Sequence, residues 1–163
     1  MKKKKIAIIN GPNLNLLGKR EPKIYGKKNI EIFINLLKKS IKNIAKISFY
    51  QSNHEGEIID IIHNIGFEYN GIVINPGAYT HTSLAIADAI KSVSSPVIEV
   101  HITNIFSREK IRKKSFITEV CKGSIFGFGL HSYELGIISL LTEFYQIHGN
   151  NSMFYNLNSG KKP

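Results

Sequence analysis

The sequence predicts an α/β protein built on one parallel, five-stranded sheet with helices on both faces. Three observations carry that prediction. Short apolar runs alternate with stretches of helical period along the chain. The first run, "KKIAIIN", has no polar alternation, as expected of a strand covered on both faces. No internal repeat, linker or low-complexity block interrupts the order, so strand-helix-strand crossovers follow one another within one domain.

Each element has its own signal. "KKIAIIN" (residues 4–10) is strand 1, and a long loop follows it. "NIEIFINLLKKSIKNIAK" (29–46) puts Ile30, Phe33, Ile34, Leu37, Ile41 and Ile44 on one helical face. "KISFYQS" is strand 2, and "EGEIIDIIHNIG" is a helix with Gly66 as C-cap. "GIVINP" is strand 3, stopped by Pro76; "TSLAIADAIKSV" is a helix capped by Thr82 or Ser83. "PVIEVH" is strand 4, "SREKIRKK" (107–114) a short helix, "GSIFGFG" strand 5 and "YELGIISLLTEFYQIH" the closing helix. One domain is thus expected over residues 1–148, with 149–163 as a loose tail. Five strands favour the flavodoxin-like order 2-1-3-4-5 among doubly wound sheets.

Composition narrows the function. The chain has 163 residues, 42% of them hydrophobic, which suits one domain with a real core. Its apolar runs are too short or too interrupted to span a bilayer. After "MKKKK" the run "IAII" ends at Asn10 and Gly11, too soon for a signal peptide, so a cytoplasmic protein is expected. The lone Cys121 has no partner for a disulfide and no metal-ligand spacing around it, and is read as core. The net charge of +10 invites a nucleic-acid reading. Its lysines and arginines are scattered over "KKKK", "GKKN", "KKSIKNIAK", "REKIRKK" and "GKKP" rather than interleaved with aromatics, so an acidic small molecule is at least as natural a partner.

In a sheet of this order ligands bind beyond the carboxyl ends of the strands where the order reverses, here at the tips of strands 1 and 3 with strand 4 alongside. Strand 1 ends in Asn10-Gly11-Pro12-Asn13, strand 3 in "NPGAYTH" with Asn75 and His81, and strand 4 in "EVHIT". Glu99 and His101 stand two apart on a strand, so their side chains share a face, and a carboxylate there can fix the histidine's tautomer. The pair suits an acid, a base or a metal ligand. No Asp or third His at supporting spacing backs a metal site from His81, Glu99 and His101, so no metal is expected. His54, His63, His131 and His148 have no partner pattern and are read as structural or solvated.

The loop "INGPNLNLLGKREPKIYG" is long for a compact domain, where connections run to roughly 4–6 residues. It fails as a phosphate loop: six residues separate Gly11 from Gly18, and Arg20 stands where Ser or Thr must hold magnesium. No G-x-G-x-x-G opens a helix, so no dinucleotide is expected, and flavin binding rests on fold alone.

With "INGPNLNLLGKREPKIYG", "NPGAYTHTS" followed by "ADAI", "EVHITNIFSRE" and the closing "GFG" in order, the chain resembles the type II 3-dehydroquinate dehydratases from about Ile6 to Gln146. The resemblance implies a lyase of the shikimate pathway that dehydrates 3-dehydroquinate without cofactor or metal. It makes Tyr25 the base, with Arg20 beside it on a lid, and His101 the acid, oriented by Glu99. Asn13 would stabilise the enolate, while Asn75, His81 and Arg112 hold the ring and its hydroxyls. The backbone amides of Ile102 and Thr103, with the Thr103 hydroxyl, would take the carboxylate. Asp88 would act from a neighbouring subunit of a trimer-based dodecamer; from its own surroundings it is a solvated helix residue. No nucleic acid and no membrane is implied. Thr103 stands where the family often has serine, and Phe106 replaces a frequent histidine or tyrosine; neither change removes a catalytic group.

Overall fold

A computed structural model describes residues 3–18 and 29–148. Five parallel strands, β1 (Lys4–Asn10), β2 (Ala45–Gln51), β3 (Gly71–Asn75), β4 (Val97–His101) and β5 (Gly123–Phe126), pair in the order β2-β1-β3-β4-β5. That is the expected topology. The chain runs from β1 to β2 at one edge, then crosses back to lay β3 on the other side of β1. The order therefore reverses between β1 and β3, and in-register pairing of Asn10 with both Gln51 and Asn75 levels the three strand ends there.

The period-2 geometry of β1 splits its apolar run between two cores. Ile6 and Ile8 face α1 (Ile30–Ser40) and α4 (His131–His148), with Ile34, Leu37, Tyr133, Ile137 and Leu140 in the same cluster. Ala7 and Ile9 face α2 (Glu55–Ile65) and α3 (Leu84–Lys91), packing with Ile58, Ile62, Ile86 and Ile90. From Ile6 to Ile9 the strand is fully buried, which is why no polar residue interrupts it before Asn10 at its tip. Among the described residues no helix is long and apolar enough to cross a membrane.

Three boundaries differ from the sequence reading. The first helix stops at Ser40 because the chain must be extended by Ala45 to pair with Lys4; Ile41 and Ile44 still pack against the α1 core from a turn. Residues 107–114 form no α-helix but 3-10 turns at Ile105–Ser107 and Lys110–Lys113. Ile111 is 76% exposed, so the segment has no apolar stripe to dock. Strand 5 ends at Phe126, where Gly127 turns to φ 90°. The caps behave as expected: the Ser83 hydroxyl accepts from Ile86 N–H at the start of α3, and Gly66 closes α2.

Gly66 has right-handed dihedrals, so positive φ is not what requires it. A Cβ at this position would lie 2.3 Å from Val93 Cγ1 and 2.6 Å from the Ile62 carbonyl oxygen. The end of α2 thus touches the residue that follows α3. Gly66→Ala is expected to lower stability by about 1–3 kcal/mol through this overpacking, read as an earlier midpoint in urea with the slope unchanged.

Candidate active site

The site begins where two loops touch. Gly11 N–H donates to the Asn75 carbonyl over 2.7 Å, and a Cβ on Gly11 would lie 2.4 Å from the Pro76 carbonyl oxygen. Only glycine lets the chain leaving β1 lie against the chain leaving β3. Two residues on, Asn13 adopts φ 67°, the one positive φ among the described non-glycine residues, and asparagine is among the side chains that tolerate it best. Its N–H donates to Asn53 Oδ1 over 2.9 Å; Asn53 is itself held by Gln51 Nε2 at 3.2 Å and, through its carbonyl, by the Tyr79 hydroxyl at 2.9 Å.

Beneath these loops a short relay joins three elements. Asn75 Nδ2 donates to the Tyr133 hydroxyl at 2.9 Å, and that hydroxyl donates to Asn10 Oδ1 at 2.8 Å. Asn75 Oδ1 in turn accepts from Gly77 N–H at 3.2 Å, so both ends of its amide are assigned. Burial pushes the Tyr133 phenol well above its ordinary value, and it stays a donor. Asn10 Nδ2 is buried with no hydrogen-bond partner among the described residues.

Glu99 and His101 do share a face. His101 Nε2 donates to Glu99 Oε1 over 2.7 Å, which leaves Nδ1 as the ring nitrogen for a ligand. Phe126 flanks the ring at 5.4 Å between centroids, and Phe106 packs on Phe126 at 5.6 Å. Glu99 has no exposed surface, yet hydroxyls from several elements converge on it: Thr80 and Ser115 at Oε1, Thr118 and Ser124 at Oε2. Burial alone would raise its pKa. The hydrogen bond and charge of His101, then the hydroxyls of Thr118 and Thr80, outweigh burial and hold it below the ordinary carboxylate value.

In front of His101 lies a cavity of about 90 Å³ at the strand ends, lined from the segments that follow β1, β3 and β4. Asn13, Asn75, His81, His101, Ile102, Thr103 and Arg112 all line it, so seven of the residues singled out from sequence come together, with Glu99 behind His101. His81 Nδ1 donates to the Lys114 carbonyl at 2.7 Å, leaving Nε2 as an acceptor. Burial lowers its pKa, the Lys114 carbonyl works against that, and the nearby charges of His101 and Arg112 add to the lowering, so the ring stays neutral near neutral pH. Arg112 and Arg108 bring two guanidinium groups to the wall, flanking Glu109 at 3.2 Å and 3.6 Å. With the one carboxylate behind His101 already engaged, the wall favours an anionic ligand.

Asp88 stands apart: its side chain is 73% exposed, it pairs with Lys91 at 3.6 Å, and it does not line the cavity. Arg20, Tyr25 and the expected lid lie outside the described residues, as does the tail 149–163. Among the described residues no three His, Cys, Asp or Glu side chains converge as metal ligands do. Sequence reasoning missed Arg108, because the basic run holding it read as a helix face, and the Thr80, Ser115 and Thr118 hydroxyls, because no spacing rule marks them.

The model of the family described as "Dehydroquinase class II" matches residues 4–141. A protein named 3-dehydroquinate dehydratase from Caldicellulosiruptor saccharolyticus is 53% identical over 139 residues, covering 84% of this chain and 96% of the relative. The crystal structure of a type II dehydroquinase from Butyrivibrio crossotus superposes with a TM-score of 0.81 at 51% identity, covering 85% of this chain and 97% of that one. The type II dehydroquinase from Propionibacterium acnes gives 0.82 at 37% identity, covering 86% and 97%.

The relay makes a separate prediction. Tyr133→Phe strands the Asn75 amide and the Asn10 carbonyl in a buried site, and should cost about 1–3 kcal/mol of stability in chemical denaturation.

Proposed function

The chain belongs to the dehydroquinase class II family, and on that footing we propose that it carries out the trans dehydration of 3-dehydroquinate to 3-dehydroshikimate. The observation that carries the reading is the buried Glu99–His101 pair opening onto a cavity that also gathers Asn13, Asn75, His81 and Arg112. Loss of water from a β-hydroxy ketone is proton chemistry, and a base, an acid and an enolate site are sufficient for it. No cofactor enters. The family match leaves the nucleic-acid reading without support.

Tyr25 takes the proton from the carbon beside the ketone. An ordinary tyrosine titrates near 10, so its ionisation at neutral pH costs about 4 kcal/mol. Arg20, on the same loop, offsets that cost by favouring the phenolate. Leu17, three residues before Arg20 in the sequence, lines the cavity. The electron pair released moves onto the ketone oxygen, where the Asn13 amide and an ordered water meet it. The enolate then collapses and the carbon–oxygen bond of the departing hydroxyl breaks. His101 gives that oxygen its proton from Nδ1, and the Glu99 carboxylate balances the charge of the doubly protonated ring.

Binding divides the remaining wall. The neutral His81 offers Nε2 to a substrate hydroxyl, and Asn75 offers its second amide proton. The amides of Ile102 and Thr103, with the Thr103 hydroxyl, take the carboxylate, and Arg112 closes on the ring's polar edge. Asp88, exposed and remote from its own cavity, serves the cavity of a neighbouring subunit in a trimer-based dodecamer. We place the enzyme in the cytoplasm, as a step of aromatic biosynthesis.

The reaction is tested by the rising enone absorbance of the product. Activity should survive excess chelator and prior borohydride treatment. It should fall about 10²–10⁴-fold in both Tyr25→Phe and His101→Ala, the range for loss of a positioned acid or base. A folded wild-type protein that leaves 3-dehydroquinate unchanged overturns the reading, and a lone monomer in light scattering overturns the shared role of Asp88.

A further inference from the structure

Four hydroxyls from three other segments surround Glu99, and their order has a direction. Ser115 Oγ accepts from two backbone donors, Ile117 N–H at 3.2 Å and Thr118 N–H at 2.9 Å. An N–H only donates, so Ser115 must turn its single proton elsewhere; Thr80 Oγ1 at 2.7 Å is the nearer acceptor, with Glu99 Oε1 itself at 3.4 Å. Thr80, accepting there, gives its own proton to Glu99 Oε1. At the second oxygen the Thr118 hydroxyl donates, with Ser124 Oγ at 3.4 Å. The loop that fixes the direction follows directly on Arg112 and Lys114.

We propose that this directed chain, from the amides of Ile117 and Thr118 through Ser115 and Thr80, together with Thr118 at the other oxygen, keeps Glu99 from taking the proton of His101. The inference rests on the dehydratase reading and deepens it. A carboxylate 2.7 Å from an imidazolium can neutralise it by accepting its proton, and the neutral ring is then a far weaker acid at Nδ1. Donors that cannot turn round weaken the carboxylate as a base, because each bond they make is stronger to the charged form. Successive hydroxyls aligned in one sense also polarise one another, so Thr80 donates more strongly than an isolated threonine. Thr80, Ser115 and Thr118 are therefore positioning residues. They touch no substrate and act on the proton of His101 through Glu99.

The groups that face Glu99 do not compete for this role. Burial and the charge of Glu99 hold the Cys121 thiol neutral. His81 is kept neutral by burial, which lowers its pKa, and the charge of Arg112 adds to that lowering. That leaves His101 as the one group exchanging a proton with Glu99.

The test uses Thr118→Val and Thr80→Val, which remove a donor from each oxygen, with Thr118→Ser as the conservative control. Glu99 is titrated through its labelled carboxyl carbon by NMR, assigned by comparison with Glu99→Gln, and kcat is followed against pH. Each valine variant should raise the Glu99 midpoint by about 1–2 units, the equivalent of one hydrogen bond to a charged group. Activity needs Glu99 ionised, so the acid limb of kcat moves up by the same amount while KM changes less than about twofold. Thr118→Ser should return both to wild type. Carboxyl titrations that coincide with wild type in both folded valine variants overturn the proposal. The two variants lie on different segments, so a fold lost in one leaves the other to decide. A wild type without dehydratase activity removes the proposed reaction alone, since the carboxyl titration needs no substrate.

Discussion

A fully buried carboxylate has to be either neutral or saturated with donors, and the region around Glu99 is organised by the second solution. Four hydroxyls and one imidazole nitrogen reach it from β4, β5 and the loops around Thr80 and Ser115–Thr118. Satisfying the charge therefore pins the segments that follow β3 and β4 to one another. The same segments carry His81, Ile102, Thr103 and Arg112 to the cavity. One electrostatic requirement thus sets the position of the acid and of much of the ligand wall together.

The sheet makes that arrangement rigid. Because β1 buries alternate residues in two separate cores, it is clamped from both faces and cannot tilt without opening one of them. Its last residue pairs in register with the ends of β2 and β3, so the loops that leave the three strands start from one level. Tyr133 reaches from α4 to the same level and ties Asn75 to Asn10 under the cavity floor. The polar chemistry lies on top of apolar packing that faces both ways, and neither core has to accommodate it.

Most of the fold was legible because its signals are local or topological. The buried strands, the apolar faces of the helices and the Ser83 cap follow from patterns a few residues long, and the strand order follows from four crossovers. The Glu99–His101 pair was legible for the same reason, since residues two apart on a strand must share a face. What stayed hidden depends on distant segments meeting. The end of α1 is set by β1 pairing with Ala45, not by the helical period, which runs on to Ile44. The run 107–114 has helix-forming residues but no surface to bury against, so it falls into 3-10 turns that aim Arg108 and Arg112 inward. Ser115 and Thr118 carry no mark at all, because a hydroxyl becomes informative only when its acceptor is known. Gly66 was placed correctly as a helix end, while the reason for glycine there, the Val93 side chain, comes from just beyond the end of α3.

The contact of Gly11 with Pro76 bears on how such a protein can be redesigned. Two loops that share a backbone surface with no room for a Cβ are inherited as one piece, although some sixty residues of sequence lie between them. Grafting either loop alone from a relative with a different ligand preference would bring a foreign backbone against a resident one. Swapping them as a matched pair, with Asn53 carried along to hold Asn13, keeps the seam intact. The smallest exchangeable module of this site is therefore discontinuous in the gene.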